Sequence, residues 1–195
     1  MALDIRVLAG DELRAAIPSV AALRIEVFRD FPYLYDGDLL YEERYLAPYT
    51  ETPQAVLIGA YEGDQLVGAS TGMPLNAHAD DFSAAFANCD IPQSEVFYCA
   101  ESVLLPAYRG QGVGHVFFDL REAEAKAQGL TFSAFCSVLR ARDHPLRPAS
   151  YQPLDRFWRA RGYAPLPGVI AVFDWKDIGE TRETPKQLQF WGRRL

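Results

Sequence analysis

Apolar and polar side chains alternate over residues 3–8, the two-residue period of a half-buried strand, and Ala9-Gly10-Asp11 ends it with Asp11 as a suitable helix cap. Pro18 interrupts the helical period that follows. The pattern therefore predicts a short helical turn over 11–16 and a longer helix over 18–29, with Pro18 as its first residue and Val20, Leu23, Val27 and Phe28 facing inward. Residues 31–38 read as an aromatic and acidic loop, and a second helix is expected at about 39–46. Residues 55–61 and 65–73 are apolar strands about the hairpin turn Glu62-Gly63-Asp64, and 74–92 is a polar, alanine-rich loop with a helical turn. The run over 94–104, rich in β-branched and aromatic residues and stopped by Pro106, predicts a largely buried strand. After it, Val113, Val116, Phe117, Leu120 and Ala127 recur mostly at helical spacing up to Gly129, with Glu122 and Lys126 able to pair on the outer face. A strand over 130–139, a basic loop over 140–148, a short helix over 154–161 and strands over 169–175 and 187–191 complete the chain.

With 195 residues, 49% of them hydrophobic and 23% charged, the whole chain reads as one globular domain, 1–195, burying roughly 70% of the surface its unfolded form exposes. The formal net charge of −7 argues against a sequence-independent nucleic-acid binder, which needs a basic face. Cys89, Cys99 and Cys136 are odd in number, widely spaced and without paired histidines, so neither a disulfide framework nor a metal site is indicated. Reduced cysteines in a cytoplasmic protein are the simpler expectation. No signal-like segment and no apolar run of membrane-spanning length is visible, so the expectation is a chain that is neither exported nor inserted in a membrane.

Chemistry concentrates between the central strand and the helix after it. In Arg109-Gly110-Gln111-Gly112-Val113-Gly114, three glycines alternate with side chains, so the backbone can approach a ligand closely and adopt positive φ. A strand, a glycine loop and a helix in that order aim free N–H groups and the positive end of the helix dipole at one point, an anion site suited to phosphate. The spacing fits neither a dinucleotide fingerprint, whose third glycine would fall on His115 or Phe117, nor a P-loop, which needs Gly-Lys-Ser/Thr. A bare strand-to-helix turn is the competing reading, though one or two glycines would suffice for that.

The pattern Arg-x-x-Gly-x-Gly at Arg109, Gly112 and Gly114, preceded by Leu-x-Pro-x-Tyr at Leu104, Pro106 and Tyr108, resembles the acyl-CoA pyrophosphate loop of the GNAT superfamily of N-acyltransferases. The resemblance implies an α/β fold: a mixed, mostly antiparallel sheet of six to seven strands with a central parallel pair splayed apart and helices on both faces. It implies acetyl-CoA or another acyl-CoA as co-substrate, with its pantetheine arm on the backbone of Ser102, Val103 and Leu104. The pyrophosphate would rest on the N–H groups of Arg109, Gly110, Gln111, Gly112, Val113 and Gly114. The implied reaction is direct transfer of an acyl group, most often acetyl, to a primary amine, without a metal.

The general base does not carry over by position, because the family's usual glutamate corresponds here to Tyr98. Glu101, the only acid between Val96 and Tyr108, is the first candidate, against an ion-paired structural role; Tyr98 and Cys99 follow. The usual tyrosine acid is replaced by Trp158, so Tyr151 is the substitute candidate. Tyr33, Tyr35 and Asp36, with Glu42 and Glu43 beyond, suit a cationic acceptor, or form an aromatic loop packed on the sheet. Arg140, Arg142, His144 and Arg147 could meet a substrate carboxylate or a CoA phosphate, or lie on an exposed loop. Phe190 and Trp191 either cap the sheet or join a partner subunit in a homodimer. The missing glutamate and tyrosine keep one alternative open: an acyl-CoA-binding sensor or interaction module that has lost its chemistry.

Overall fold

The computed structural model describes residues 3–78, 80–87 and 89–195. Strands β1 (Asp4–Leu8), β2 (Val56–Glu62) and β3 (Gln65–Pro74) pair antiparallel. The central element is split in two. Strand β4 (Val96–Tyr98) pairs with Met73 and Pro74, and β5 (Ser102–Leu104) pairs with Gly68, Ala69 and Ser70. Strand β4 also runs parallel to β6 (Phe132–Val138), and antiparallel β8 (Thr184–Arg194) and β7 (Ala164–Trp175) complete an eight-stranded sheet of order β1-β2-β3-β4-β6-β8-β7, with β5 on β3. The expected single strand over 94–104 is thus two, and the last two strands are longer than the apolar pattern suggested.

Helices cover both faces. Leu13, Ile17 and Val20 of α1 (Gly10–Phe28) and Leu46 of α2 (Leu39–Leu46) pack with Leu57, Ala69 and Val103 on one face, joined by Tyr49 of α3 (Pro48–Glu51). Val113, Phe117 and Ala125 of α5 (Val113–Ala127) pack with Ile58, Phe97 and Phe135 on the other, beside Phe157 of α6 (Asp155–Ala160). Leu57 and Ile58 point to opposite faces, as the two-residue strand period requires. A third cluster, around Phe82 of α4 (Asp80–Ala84), Phe86, Tyr98 and Phe190, fills the far end.

Two local expectations change. Pro18 lies inside a continuous α1, not at a break. It sits on the exposed side, where water can take the carbonyl left without an amide, while Leu13, Ala16, Ile17, Val20 and Ala21 keep an unbroken buried stripe. Glu122 does not pair with Lys126 outside; it is buried, accepting a hydrogen bond from the Tyr163 hydroxyl at 3.0 Å and from Arg161 at 3.3 Å. Phe190 and Trp191 are buried in the sheet's own core, filling it rather than offering a surface to a partner.

The split in the central strand is a β-bulge. Ala100 and Glu101 both oppose Thr71: the Ala100 N–H donates to the Thr71 carbonyl at 3.1 Å, and the Thr71 N–H donates to the Glu101 carbonyl at 3.1 Å. Tyr98 packs on the α1 face while Phe97 and Cys99 pack on the α5 face; beyond the bulge Val103 is on the α1 face and Leu104 on the α5 face. The extra residue therefore exchanges which numbers point to which side. The last bond toward β6 runs from Cys99 N–H to the Ala134 carbonyl at 2.8 Å; after it β5 pairs only with β3, while β6 continues against β8. The parallel pair opens into a cleft.

Buried Arg121 of α5 braces this point, donating from Nη1 to the carbonyls of Glu101 at 3.0 Å and Thr71 at 3.3 Å. Replacing Arg121 with Leu keeps apolar bulk but removes both charge-assisted bonds. The expected loss is about 2 kcal/mol in urea unfolding; an unchanged midpoint would show that the bulge holds without the brace.

Candidate active site

On one side of the cleft, β5 presents a free edge. Its hydrogen bonds to β3 use alternate residues: Glu101 and Leu105 bond to Thr71 and Val67, and Val103, in register with Ala69, faces the same way. Ser102 and Leu104 therefore turn their backbone groups toward the opening, and the Leu104 carbonyl accepts from Arg109 Nε at 3.1 Å. Of the three residues expected to hold a pantetheine arm, two face the cleft and Val103 faces β3.

The glycine loop follows through the short 3₁₀ turn Pro106–Tyr108, anchored by the Tyr108 hydroxyl, which donates to Glu62 at 2.7 Å. Gly110 and Gly112 have φ of +77° and +84°, and a Cβ added at either would meet nothing within 4 Å. The conformation demands glycine and leaves open space above the loop. Gly112 is the N-cap of α5, whose first N–H groups have no preceding helical carbonyl to bond. The loop thus fits a phosphate chain held by backbone donors at a helix N-terminus. The Arg109 side chain is folded back on its own strand.

On the other side lies a cavity of about 350 Å³ between the loop over 29–38, α2, the bulge and β7. Glu101, Tyr98, Tyr33, Tyr35 and Asp36 all line it. At its base Arg24 sits between two carboxylates: Nη1 is 2.8 Å from Glu101 Oε2, and Nε donates to Glu42 Oε2. Arg24 and Glu42 are 7% and 1% exposed, and the two carboxyl groups with one guanidinium give the cluster a formal charge of minus one. Burial acts to lower the Arg24 pKa, but Glu101, Glu42 and Tyr45 outweigh it and hold the guanidinium well above its usual value. Glu101 Oε1 is buried and has no hydrogen-bond partner. The ion-pair reading of Glu101 is met by one oxygen; the other remains free.

Tyr98 shares a hydrogen bond at 3.3 Å between its hydroxyl and the Cys136 thiol. Burial first, with Cys136 beside it, raises the phenol well above its ordinary value, and burial pushes the Cys136 thiol up to about 12. Burial likewise raises Tyr33, and burial followed by the Glu42 carboxylate raises Tyr35, so all three phenols remain protonated donors. Asp36 is bonded to Lys176 at 2.8 Å, and that bond and charge hold its carboxyl below the ordinary range. Tyr151 lies outside the cavity, its ring edge-on to Phe31 at 4.7 Å and 4.8 Å from the Arg147 guanidinium. Trp158 packs on Phe135 and Trp191 at 5.0 and 5.1 Å.

Within the basic cluster, Arg140 is not a free cation, while Arg142 is exposed. Arg140 donates two bonds to Asp177, at 2.7 and 2.8 Å, and two more to the carbonyls of Pro32 and Tyr33, at 2.8 and 2.7 Å. It staples the cavity's loop to the segment after β7, where Asp36 N–H also bonds Lys176 and Ile178 N–H bonds Leu34. His144 and Arg147 pack on Phe31. Arg24, Cys136, Phe82, Phe173 and Trp175, which also line the cavity, were missed from sequence. Arg24 carried a signal: a charge within the buried stripe of α1 needs a buried partner. Among the described residues no group of three or more His, Cys, Asp or Glu side chains is placed to hold a metal ion, and no helix is long and apolar enough to cross a membrane.

Residues 20–146 match the model of the acetyltransferase (GNAT) family. No curated protein matches the chain. Among solved structures, the ribosomal-protein-alanine N-acetyltransferase of Brucella melitensis shares 13% identity at a TM-score of 0.62, covering 98% of this chain and 99% of its own. An N-acetyltransferase from Staphylococcus aureus Mu50 shares 11% at 0.61, covering 100% and 99%. The yncA protein of Salmonella typhimurium, whose structure includes its cofactor acetyl-CoA, shares 12% at 0.61, covering 100% and 95%. At such identities the likeness is one of fold.

His78 stands half-buried beside this site, its ring against Tyr98 at 4.9 Å and Phe82 at 5.1 Å. Burial first, then the charge of Arg24, pulls its pKa down to about 4. Below pH 6.5 the unfolded chain takes up a proton that the folded one refuses, so His78 lowers stability progressively as pH falls toward 4. His78→Phe should lose about 2–3 kcal/mol less than wild type between pH 7 and pH 4.5 in urea unfolding. Parallel curves for the two proteins would contradict the assignment.

Proposed function

The chain belongs to the GNAT acetyltransferase family, and from that premise we propose that it transfers an acetyl group from acetyl-CoA to a primary amine within a ternary complex. The observation that carries this reading is the cleft beyond the bulge. A glycine loop and a free strand edge stand on one side, and a cavity ending in a buried carboxylate stands on the other. Ser102 and Leu104 offer backbone groups to the pantetheine arm, and the loop N–H groups from Gly110 to Gly114 offer donors to the pyrophosphate.

Acetyl-CoA supplies the acyl group as a thioester: the amine nitrogen bonds to its carbonyl carbon as the carbon–sulfur bond breaks, and the thiolate leaves as thiol once protonated. The chain's own part is to bind, deprotonate and orient. An amine of pKa near 10 arrives as ammonium, and the negative cluster at the cavity base attracts it. Glu101 Oε1, free of other partners, takes the proton directly or through one water and exposes the lone pair. Arg24 fixes the Glu101 carboxylate through Oε2, so Oε1 is presented without rotation. The nitrogen sheds its second proton as the amide forms, and the departing thiolate takes up that proton through water; burial holds the Tyr98 phenol well above its ordinary value and so makes it a poor acid for this step, and Tyr151 lies outside the cavity.

Calorimetric titration of acetyl-CoA and of NADH tests the cofactor half. Wild type should bind acetyl-CoA and not NADH, and Gly112→Trp, which places an indole over the loop, should lose the binding. Glu101→Gln should retain acetyl-CoA binding while turnover on a range of amines falls at least a hundredfold. Absent acetyl-CoA binding by folded wild type would overturn the reading; full turnover by Glu101→Gln would remove Glu101 as base.

A further inference from the structure

The cavity's walls and its base differ in kind, and the difference specifies an acceptor. Phe28, Tyr33, Tyr45, Phe82, Phe173 and Trp175 supply the walls. A volume of about 350 Å³ accommodates an apolar body of about a dozen non-hydrogen atoms, taking roughly 30 Å³ for each. The base is the Glu42–Arg24–Glu101 cluster, with Glu101 Oε1 buried and unpartnered. A buried carboxylate oxygen with no donor is an unusual and expensive feature, and it is satisfied by a ligand that brings N–H groups to that point.

We propose that the acceptor is a small free arylalkylamine that carries no carboxylate next to its amine, with the ring held between the aromatic walls and the ammonium seated on Glu101 Oε1. This deepens the acetyltransferase reading and rests on it. A linear polyamine could set a second ammonium near Asp36, Asp38, Asp174 or Glu183, which also line the cavity, but its body would recover less apolar burial from the aromatic walls than a ring does. An α-amino acid would bring its carboxylate within one bond of the carbon bearing the amine, close to Glu101 and Glu42. The cation at the base, Arg24, already has Nη1 and Nε committed to those two carboxylates and lies 4.5 Å from the Tyr45 ring; of the other lining cations, Lys176 is paired with Asp36 and Arg182 is exposed. The pocket therefore selects for the ring and against the acid.

Steady-state thiol release with acetyl-CoA, comparing phenethylamine, ethylamine, L-phenylalanine, spermidine and an alanine-terminated peptide, tests the choice. Phenethylamine should show kcat/KM at least about tenfold above each of the others. Glu42→Gln, which removes one of the two negative charges facing Arg24 with little change in side-chain volume, should narrow the ratio of phenethylamine to L-phenylalanine by about tenfold or more. Equal or better turnover of L-phenylalanine, spermidine or the peptide by wild type would overturn the proposal while leaving the acetyltransferase reading intact. Binding of phenethylamine without acetyl-CoA, followed by Trp175 fluorescence with Trp175→Phe as control, separates the two failures. Saturable quenching with no thiol release from any amine would sink the enzyme reading alone, and no quenching by the folded protein would sink the pocket assignment.

Discussion

Thr71 opposes two residues where a regular sheet allows one, and both halves of the candidate site depend on that mismatch. The bulge ends the pairing of the central strand with β6, which leaves the edges of Ser102 and Leu104 free. The same defect leaves crowded carbonyls in the middle of the sheet, and α5 answers with Arg121, while Ser70 Oγ adds a third donor to the Glu101 carbonyl at 3.2 Å. Helix α5 thus has two duties: its N-terminus faces the glycine loop, and Arg121 in its middle holds the strand apart. A helix that brings a buried cation to a strand interior is ordinarily a poor bargain, since an unpaired guanidinium is hard to desolvate. Here the carbonyls of the bulge supply the partners, so each irregularity compensates the other.

The acceptor side rests on a different balance. Arg24 buried alone would be unstable, and Glu42 and Glu101 buried together would repel; the three in a row leave a single negative charge and one free oxygen. The loop above this cluster is held by backbone and by Arg140, which bonds Asp177 and two loop carbonyls at once. Leu34, at φ +56°, is a buried non-glycine residue in the left-handed region within that same loop. Such strain persists only where surrounding contacts over-determine it, and the Arg140 staple with the Tyr35–Asp177 bridge supplies them.

How much of this could be read in advance follows from which interactions are local. The glycine loop, the strand before it and the helix after it were legible because backbone conformation there is dictated by neighbours in the chain: positive φ at Gly110 and Gly112, a proline stop at Pro106 and a capped helix. The family pattern rests on those residues too. Pro18 was misjudged because a local rule met a tertiary one; the proline fell on the solvent side and the buried stripe held the helix together. Arg140 looked like a free cation because its partners are the carbonyls of Pro32 and Tyr33 and a carboxylate at Asp177, all remote in sequence. The cavity was the least legible part. Its wall aromatics come from α1, the loop over 29–38, α2, α4 and β7, and each, taken alone, reads as ordinary core.

Glu101 shows why alternation by itself could not place the carboxylate. Counting by twos from Tyr98, which faces α1, puts Ala100 on that side and Glu101 on the other, toward α5 and its apolar packing. The bulge inserts one residue into the count, so Glu101 joins Tyr98 and Ala100 in lining the cavity and meets Arg24. Its backbone carbonyl is turned to β3, while the next residue, Ser102, turns its backbone to the cleft. Acceptor chemistry and cofactor contact are thereby set on adjacent residues with opposite orientations. The cofactor side then depends on backbone, which tolerates change in side chains but not in glycine or register. The acceptor side's aromatic walls depend on side chains drawn from several separate elements, which can be exchanged one at a time without disturbing the bulge. A fold arranged in this way can hold its co-substrate constant while its acceptor varies.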